Sequence, residues 1–274
     1  MNQLSPSLRD HVLAQLRVTP ADPSVELLDR LLTAYTSTVP WESASRIAKK
    51  ARTPNAADRP RFPDEFWHDA LTAGTGGTCY ESNYAFISLL TNLGYDAYLT
   101  VNDMNETIGC HTAIVVRIGA ERWLVDAGFP LYAAIRLEEG MESQRESPFS
   151  LYTVRPEPEQ RYSIWRAPHP APYMFTLIDK AIPEADYRAV TERDYGELGL
   201  FLDRVVINKI IDGQSWRFNS KESLHSLQRF EDGMRYDHPF EEPTAQKLSA
   251  HFGVAEEVLQ KALDALNLNG SQQS

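Results

Sequence analysis

The chain has 274 residues, 42% hydrophobic and 24% charged, a balance that supports one large folded unit or two to three small ones and excludes a disordered or fibrous chain. A formal net charge of -11 gives a field that repels nucleic acid and anionic membranes, and no apolar run approaches the roughly 20 residues that span a bilayer. With only Cys79 and Cys110, no CxxC, no HExxH and no histidine-rich tract, neither a disulfide framework nor a metal site is expected, although a single Cys79–Cys110 bridge stays open.

The opening residues, MNQLSPSLRD, carry no basic-then-apolar leader, which with the cysteine usage predicts a cytoplasmic protein. Ser5-Pro6 and Asp22-Pro23 each read as a helix cap followed by proline at the first helical position. Leu8, Val12 and Leu16, then Leu27, Leu28, Leu31 and Leu32, repeat at helical spacing behind them. The basic stretch KKARTPNAADRPR reads as a loop, and a third helix is predicted over 63–73.

Gly74, Gly76 and Gly77 then break the chain, and a helix starts near Cys79, with Tyr80, Ala85, Phe86, Leu89, Leu90 and Leu93 on one face and Gly94 as its stop. Strands are predicted over 96–101, 111–118 and 122–126. The stretch 137–173, rich in Pro, Glu and Arg, reads as a long irregular excursion. Strands over 205–211, 215–218 and 224–230 and helices over 243–252 and 255–266 follow. Helices first, strands next and a mixed end give an α+β class.

Cys79 stands at a helix start, where free amides and the positive end of the dipole favour a thiolate, and Gly76 and Gly77 leave room for a bound carbonyl. A lone cysteine is more often a structural one. The hairpin changes that. If Gly119-Ala120 is a two-residue type II′ turn, Ile118 pairs with Glu121 and Ala113 faces Asp126, which makes His111 a diagonal neighbour of Asp126. A three-residue turn would separate them. The apolar runs around both residues predict burial, so the carboxylate needs a partner. Nucleophile, base and base-orienting acid then stand in the order Cys79, His111, Asp126. The other histidines have no comparable setting.

Gly76-Gly77-Thr78-Cys79-Tyr80-Glu81-Ser82-Asn83 resembles the GGxC[FY]ExN signature of the arylamine N-acetyltransferases. Val39-Pro40-Trp41-Glu42-Ser43 resembles that family's PFEN segment, and the strand opened by His111 and the WLVDAGF run carrying Asp126 resemble its His and Asp motifs. The resemblance implies a helical bundle (1–94), a β-barrel (95–195) and an α/β lid (196–274) around a cysteine-protease-like Cys-His-Asp core. It implies ping-pong acyl transfer from acetyl-CoA or another acyl-CoA to an arylamine or similar amine, with no metal. Cys79 carries the acyl group in that scheme and its backbone amide serves the oxyanion hole. Trp41, Gly77, Thr78 and Phe129 are the implied substrate contacts. A papain- or transglutaminase-like hydrolase or transamidase shares the residue order and is the alternative, as is a catalytically weakened binding homologue.

Two positions depart from the family. Where it has an arginine paired with the PFEN glutamate, this chain has Thr75, so Glu42 is expected to lack its cation. Its GFG after the aspartate is Gly128-Phe129-Pro130 here, and proline removes a backbone donor.

Overall fold

The computed structural model describes residues 4–196, 199–231, 233–242 and 244–268. α1 (Pro6–Leu16) starts as its sequence dictates: the Ser5 hydroxyl accepts the Leu8 amide at 3.2 Å and Pro6 fills the first position. α2 (Val25–Thr38) begins later than Asp22-Pro23 suggests, because Ser24 supplies the capping oxygen to Leu27 N. A two-residue strand, β1 (Trp41–Glu42), leads into α3 (Ala44–Arg52). The sequence hides α3, since it is polar and runs into the basic stretch expected to be loop. Its Arg46 and Lys49 are buried against Asp194 and Glu65, so charge that reads as surface is interior here.

α4 (Pro63–Ala73) ends at Gly74, which adopts φ 62°, and α5 (Cys79–Asn92) opens on the cysteine. Leu27, Leu31, Tyr35, Phe66, Trp67, Phe86 and Leu90 from these helices share one core with Ile114, Val116 and Val125. The last three come from a sheet, so the helices rest on it.

That sheet has eight strands in the order β5-β4-β3-β2-β9-β8-β7-β6: β2 (Asp96–Met104), β3 (Thr107–Ile118), β4 (Glu121–Val125), β5 (Ile135–Leu137), β6 (Ser143–Glu146), β7 (Leu151–Glu157), β8 (Arg161–Ala167) and β9 (Tyr173–Ile178). Its edge strands β5 and β6 lie against each other, which nearly closes an antiparallel barrel. The expected irregular excursion over 137–173 is therefore wrong, since β6, β7 and β8 occupy it. Alternation explains both outcomes. Tyr152, Val154, Tyr162 and Ile164 point into the barrel, while Arg155, Glu157 and Arg161 lie on the opposite face of the same strands and mask them.

After α6 (Glu184–Asp194), which the sequence pattern does not announce, a second sheet runs β1-β10-β11-β12-β13, with β10 (Val206–Ile211), β11 (Gln214–Asn219), β12 (Ser226–Glu231) and β13 (Met234–Pro239). α7 (Thr244–Phe252) and α8 (Glu256–Ala265) cover it, and Pro243 of the expected helix start lies outside the described residues. Ala44 and Ile47 of α3 belong to this third core, beside Phe218, Leu248 and Leu259. The early segment 41–52 thus packs with the end of the chain. Among the described residues no helix is long and apolar enough to cross a membrane.

The β3–β4 register is the one the sequence predicts, running from Ile118↔Glu121 to Ile114↔Val125. In its turn Gly119 takes φ 61° and Ala120 does not join the positive-φ residues, as a type II′ turn requires. A Cβ at Gly119 would meet nothing within 4 Å, so replacing it tests the backbone alone. Gly119→Val should cost about 1–2 kcal/mol in urea unfolding; unchanged stability would contradict this turn assignment.

Candidate active site

Cys79 is the first residue of α5, and the loop before it is clamped by backbone. A Cβ on Gly76 would fall 1.6 Å from the Pro40 carbonyl oxygen, and one on Gly77 would fall 2.8 Å from Glu81 Oε2. These glycines are therefore required by the protein's own packing rather than by room left for a substrate. Trp41, half-buried, bridges to Gly77 through its backbone and sets its ring edge-on to Phe201 at 4.9 Å. Thr78 is buried; its hydroxyl accepts from Arg46 Nη1 and makes no cap bond to the helix, so the first-turn amides of α5 receive nothing from it.

His111 Nε2 lies 2.6 Å from Asp126 Oδ2, and both side chains are buried. The other carboxylate oxygen accepts from the Gly128 and Phe129 amides, each at 2.8 Å, and from Asn83 Nδ2 at 3.0 Å. Asn83 also accepts from Ala127 N at 2.9 Å and donates to the Thr112 carbonyl at 2.6 Å. It stands four residues after Cys79, on the same helix face, and that spacing is the signal in the sequence that could have found it. With Nε2 held by Asp126, Nδ1 is the imidazole nitrogen left for a thiol proton. A Cβ on Gly128 would sit 2.3 Å from Cys79 Cα, so only glycine lets the Asp126 turn reach Cys79. Pro130 is accommodated because the turn is closed by Leu131 N donating to Asp126 O at 2.8 Å, a bond that does not use the amide of residue 130.

A different cation, Arg61, lies beside position 75 and pairs with Glu81. Its Nε and Nη2 each lie 3.1 Å from an oxygen of Glu81, Nη2 donates to the Gly76 carbonyl at 2.5 Å, and Nη1 donates to Thr75 Oγ1 at 3.2 Å. Burial works against the Glu81 charge, but Arg61, with help from Arg46 and the Tyr195 hydroxyl, holds its carboxyl below the usual range. Glu42 has no cation paired with it among the described residues, as expected, yet its carboxylate is satisfied by other donors. Glu42 Oε1 accepts from Gly76 N at 3.1 Å and Oε2 from Ser45 N at 2.9 Å, so its carboxylate sits on the first turn of α3 and ties that helix to the cysteine loop. Arg61 also feels its charge.

Arg46, buried on α3, is 2.8 Å from Asp194 Oδ2 and lies 4.7 Å over the Tyr195 ring. Burial pushes the Cys79 thiol up, and Asp194 and Asp126 push it further, against the pull of Arg46. The depressed thiol expected from the helix start meets an environment of opposite sign, so deprotonation depends on a proton acceptor. Phe129 and Phe175 flank the imidazole at centroid distances of 6.1 and 4.5 Å. Cys110 is free and half-buried, and its carbonyl oxygen lies 3.8 Å from Cys79 Sγ. Among the described residues no group of three or more His, Cys, Asp or Glu side chains is arranged to hold a metal.

Thr75 is buried against Arg61, so Thr75→Arg should place two guanidinium groups in one dry site and lower stability rather than restore a pair. Arg61→Met should cost about 3–5 kcal/mol by stranding Glu81, and Arg61→Met with Glu81→Leu should recover most of it. Urea unfolding measures all three. A Thr75→Arg protein more stable than wild type would contradict the assignment of Arg61.

Residues 24–194 match a family model described as N-acetyltransferase. Proansamycin X synthase of Amycolatopsis mediterranei (strain S699) is 28% identical over 151 residues, 52% of this chain and 55% of that protein, so the chain matches about half the length of this curated relative. The arylamine N-acetyltransferase from Mycobacterium abscessus superposes with a TM-score of 0.74 at 22% identity, over 94% of both chains. The Mycobacterium marinum arylamine N-acetyltransferase in complex with CoA gives 0.77 at 17% identity, over 94% of this chain and 98% of that one. Those identities speak for the fold, while the family match spans more than half the sequence. The chain belongs to the N-acetyltransferase family and has the fold of the arylamine N-acetyltransferases.

Proposed function

We propose that this protein transfers an acyl group, acetyl in the simplest case, from an acyl-coenzyme A to an arylamine or similar amine through a thioester on Cys79. The observation that carries the reading is the buried 2.6 Å contact of His111 with Asp126, joined through Asn83 to the helix that Cys79 begins. The Mycobacterium marinum relative with bound CoA supports the donor class.

His111 Nδ1 takes the Cys79 proton as the sulfur attacks the thioester carbonyl. The imidazolium is stabilised by Asp126, which keeps its own charge and fixes the ring's orientation. Amides of the uncapped first turn of α5 stabilise the oxyanion. The tetrahedral intermediate collapses, the C–S bond to coenzyme A breaks, and the departing thiolate takes the proton from His111. The amine then attacks the Cys79 acyl group, His111 receives the amine's proton, and the thiol is restored. No step needs a metal. Burial and two carboxylates oppose a standing thiolate, which favours transfer of the proton to His111 during attack. Trp41 and Phe129 offer apolar contact to the substrates, whereas Gly77 and Thr78 act through their backbones. A reducing, cytoplasmic setting suits a free nucleophilic thiol.

Asp126→Asn should lower kcat about 10⁴-fold, by favouring the wrong histidine tautomer, while the protein stays folded; near-normal turnover would remove Asp126 from this role. Iodoacetamide should alkylate wild-type Cys79 at neutral pH. In His111→Ala the raised thiol should need alkaline pH to react. Identical pH profiles for the two proteins would contradict proton transfer to His111.

A further inference from the structure

Arg46, Arg204, Arg229 and Arg166 each bury an Nε that has no hydrogen-bond partner. The first three are neutralised, by Asp194, Asp203 and Glu231 respectively. Arg166, half-buried on β8, is different: among the described residues no Asp or Glu pairs with it. Its neighbours are the His169 imidazole, the Phe129 ring and the phenols of Tyr132 and Tyr152, none of which carries a negative charge at neutral pH.

The side chain is held in place all the same. Arg166 Nη2 donates to His169 Nε2 at 2.9 Å, and His169 Nδ1 is seated against Ala171, 2.7 Å from its carbonyl oxygen and 3.0 Å from its amide nitrogen. Burial, and then the Arg166 charge, push His169 below its ordinary value, so it orients the guanidinium as a neutral acceptor. Arg166 Cζ lies 4.9 Å from the centre of the Phe129 ring, and that ring meets the His111 imidazole edge-on at 6.1 Å. A single aromatic ring therefore separates an oriented guanidinium, uncompensated among the described residues, from the base of the triad. Burial also pushes the Arg166 guanidinium down, which is the cost of holding a cation there without an anion. In a chain of net charge -11, this is a local basic point of the kind an anionic substrate requires.

We infer that Arg166, oriented by His169 and stacked on Phe129, binds an anionic group, carboxylate or phosphate, of a substrate held at the Cys79 site. The inference rests on the acyl-transfer reading above. A guanidinium fork recognises either oxyanion through paired, charge-assisted hydrogen bonds, whereas a neutral isostere leaves the fork unsatisfied. Two substrates can bring the anion: an arylamine bearing a carboxylate, or the phosphate-bearing coenzyme A donor.

Calorimetric binding to the full-length protein separates them, using 4-aminobenzoate against its neutral methyl ester and coenzyme A against pantetheine. Wild type should prefer the anionic member of one pair by about tenfold or more, and Arg166→Gln should abolish that preference. Loss of the 4-aminobenzoate preference assigns the anion to the acceptor, and loss of the coenzyme A preference assigns it to the donor. No preference in wild type, or one that survives in Arg166→Gln, overturns the inference. If Arg166→Gln does not fold, Arg166→Lys decides, since it keeps the charge and loses the fork: an undiminished preference overturns the inference and a reduced one supports it. These measurements need no turnover. Failure of acyl transfer itself is read separately, from whether p-nitrophenyl acetate, which has no anionic group, acylates wild-type Cys79.

Discussion

A carboxylate with no exposed surface is costly unless its charge and lone pairs are met, and Asp126 is such a group. Four donors meet it from three parts of the chain: His111 on β3, Asn83 on α5, and the two amides of the turn that follows β4. The arrangement ties the helical bundle to the barrel at one atom pair, so the positions of α5, β3 and the Gly128 turn cannot change independently. A one-residue slip between β3 and β4 would put His111 on the opposite face and strand the carboxylate. The geometry that holds Asp126 is the same geometry that presents His111 Nδ1.

A second charge network holds the loop in front of Cys79. Arg61 grips Glu81 and the Gly76 carbonyl, Glu42 grips the Gly76 amide and the first turn of α3, and Arg46 grips Thr78. Because α3 packs in the C-terminal core and β1 joins its sheet, the loop ahead of Cys79 is braced from that side as well as by the bundle. A guanidinium fourteen residues upstream, delivered from the segment ahead of α4, stands beside Thr75 and pairs with Glu81 rather than with Glu42. Thr75 marks a site rebuilt around another cation, not one that has lost its support.

Local signals explain what could be read in advance. The β3–β4 hairpin was legible because a two-residue glycine turn fixes the register, and the register puts His111 beside Asp126. The start of α5 was legible from the glycines before Cys79 and the apolar face behind it. Arg61, Arg46 and Asp194 were not, because nothing short-range links residues 61 and 81 or 46 and 194. The barrel strands β6–β8 were hidden by their charged outer faces, and α3 by buried charges whose partners lie far along the chain. Asn83 stood in a recognised motif, yet its part depends on the turn at Ala127 and Gly128 reaching it. Long-range charge pairing, more than secondary structure, is what the sequence concealed.

Whether Cys79 carries the acyl group, as proposed, is tested most directly by intact-mass measurement after incubation with acyl-coenzyme A thioesters. One acyl adduct is expected on the wild-type chain, absent from Cys79→Ala and discharged when an arylamine is added. No adduct from any thioester, with cleavage of a peptide or of a glutamine amide instead, would contradict it and favour a hydrolase or transamidase built on the same three residues.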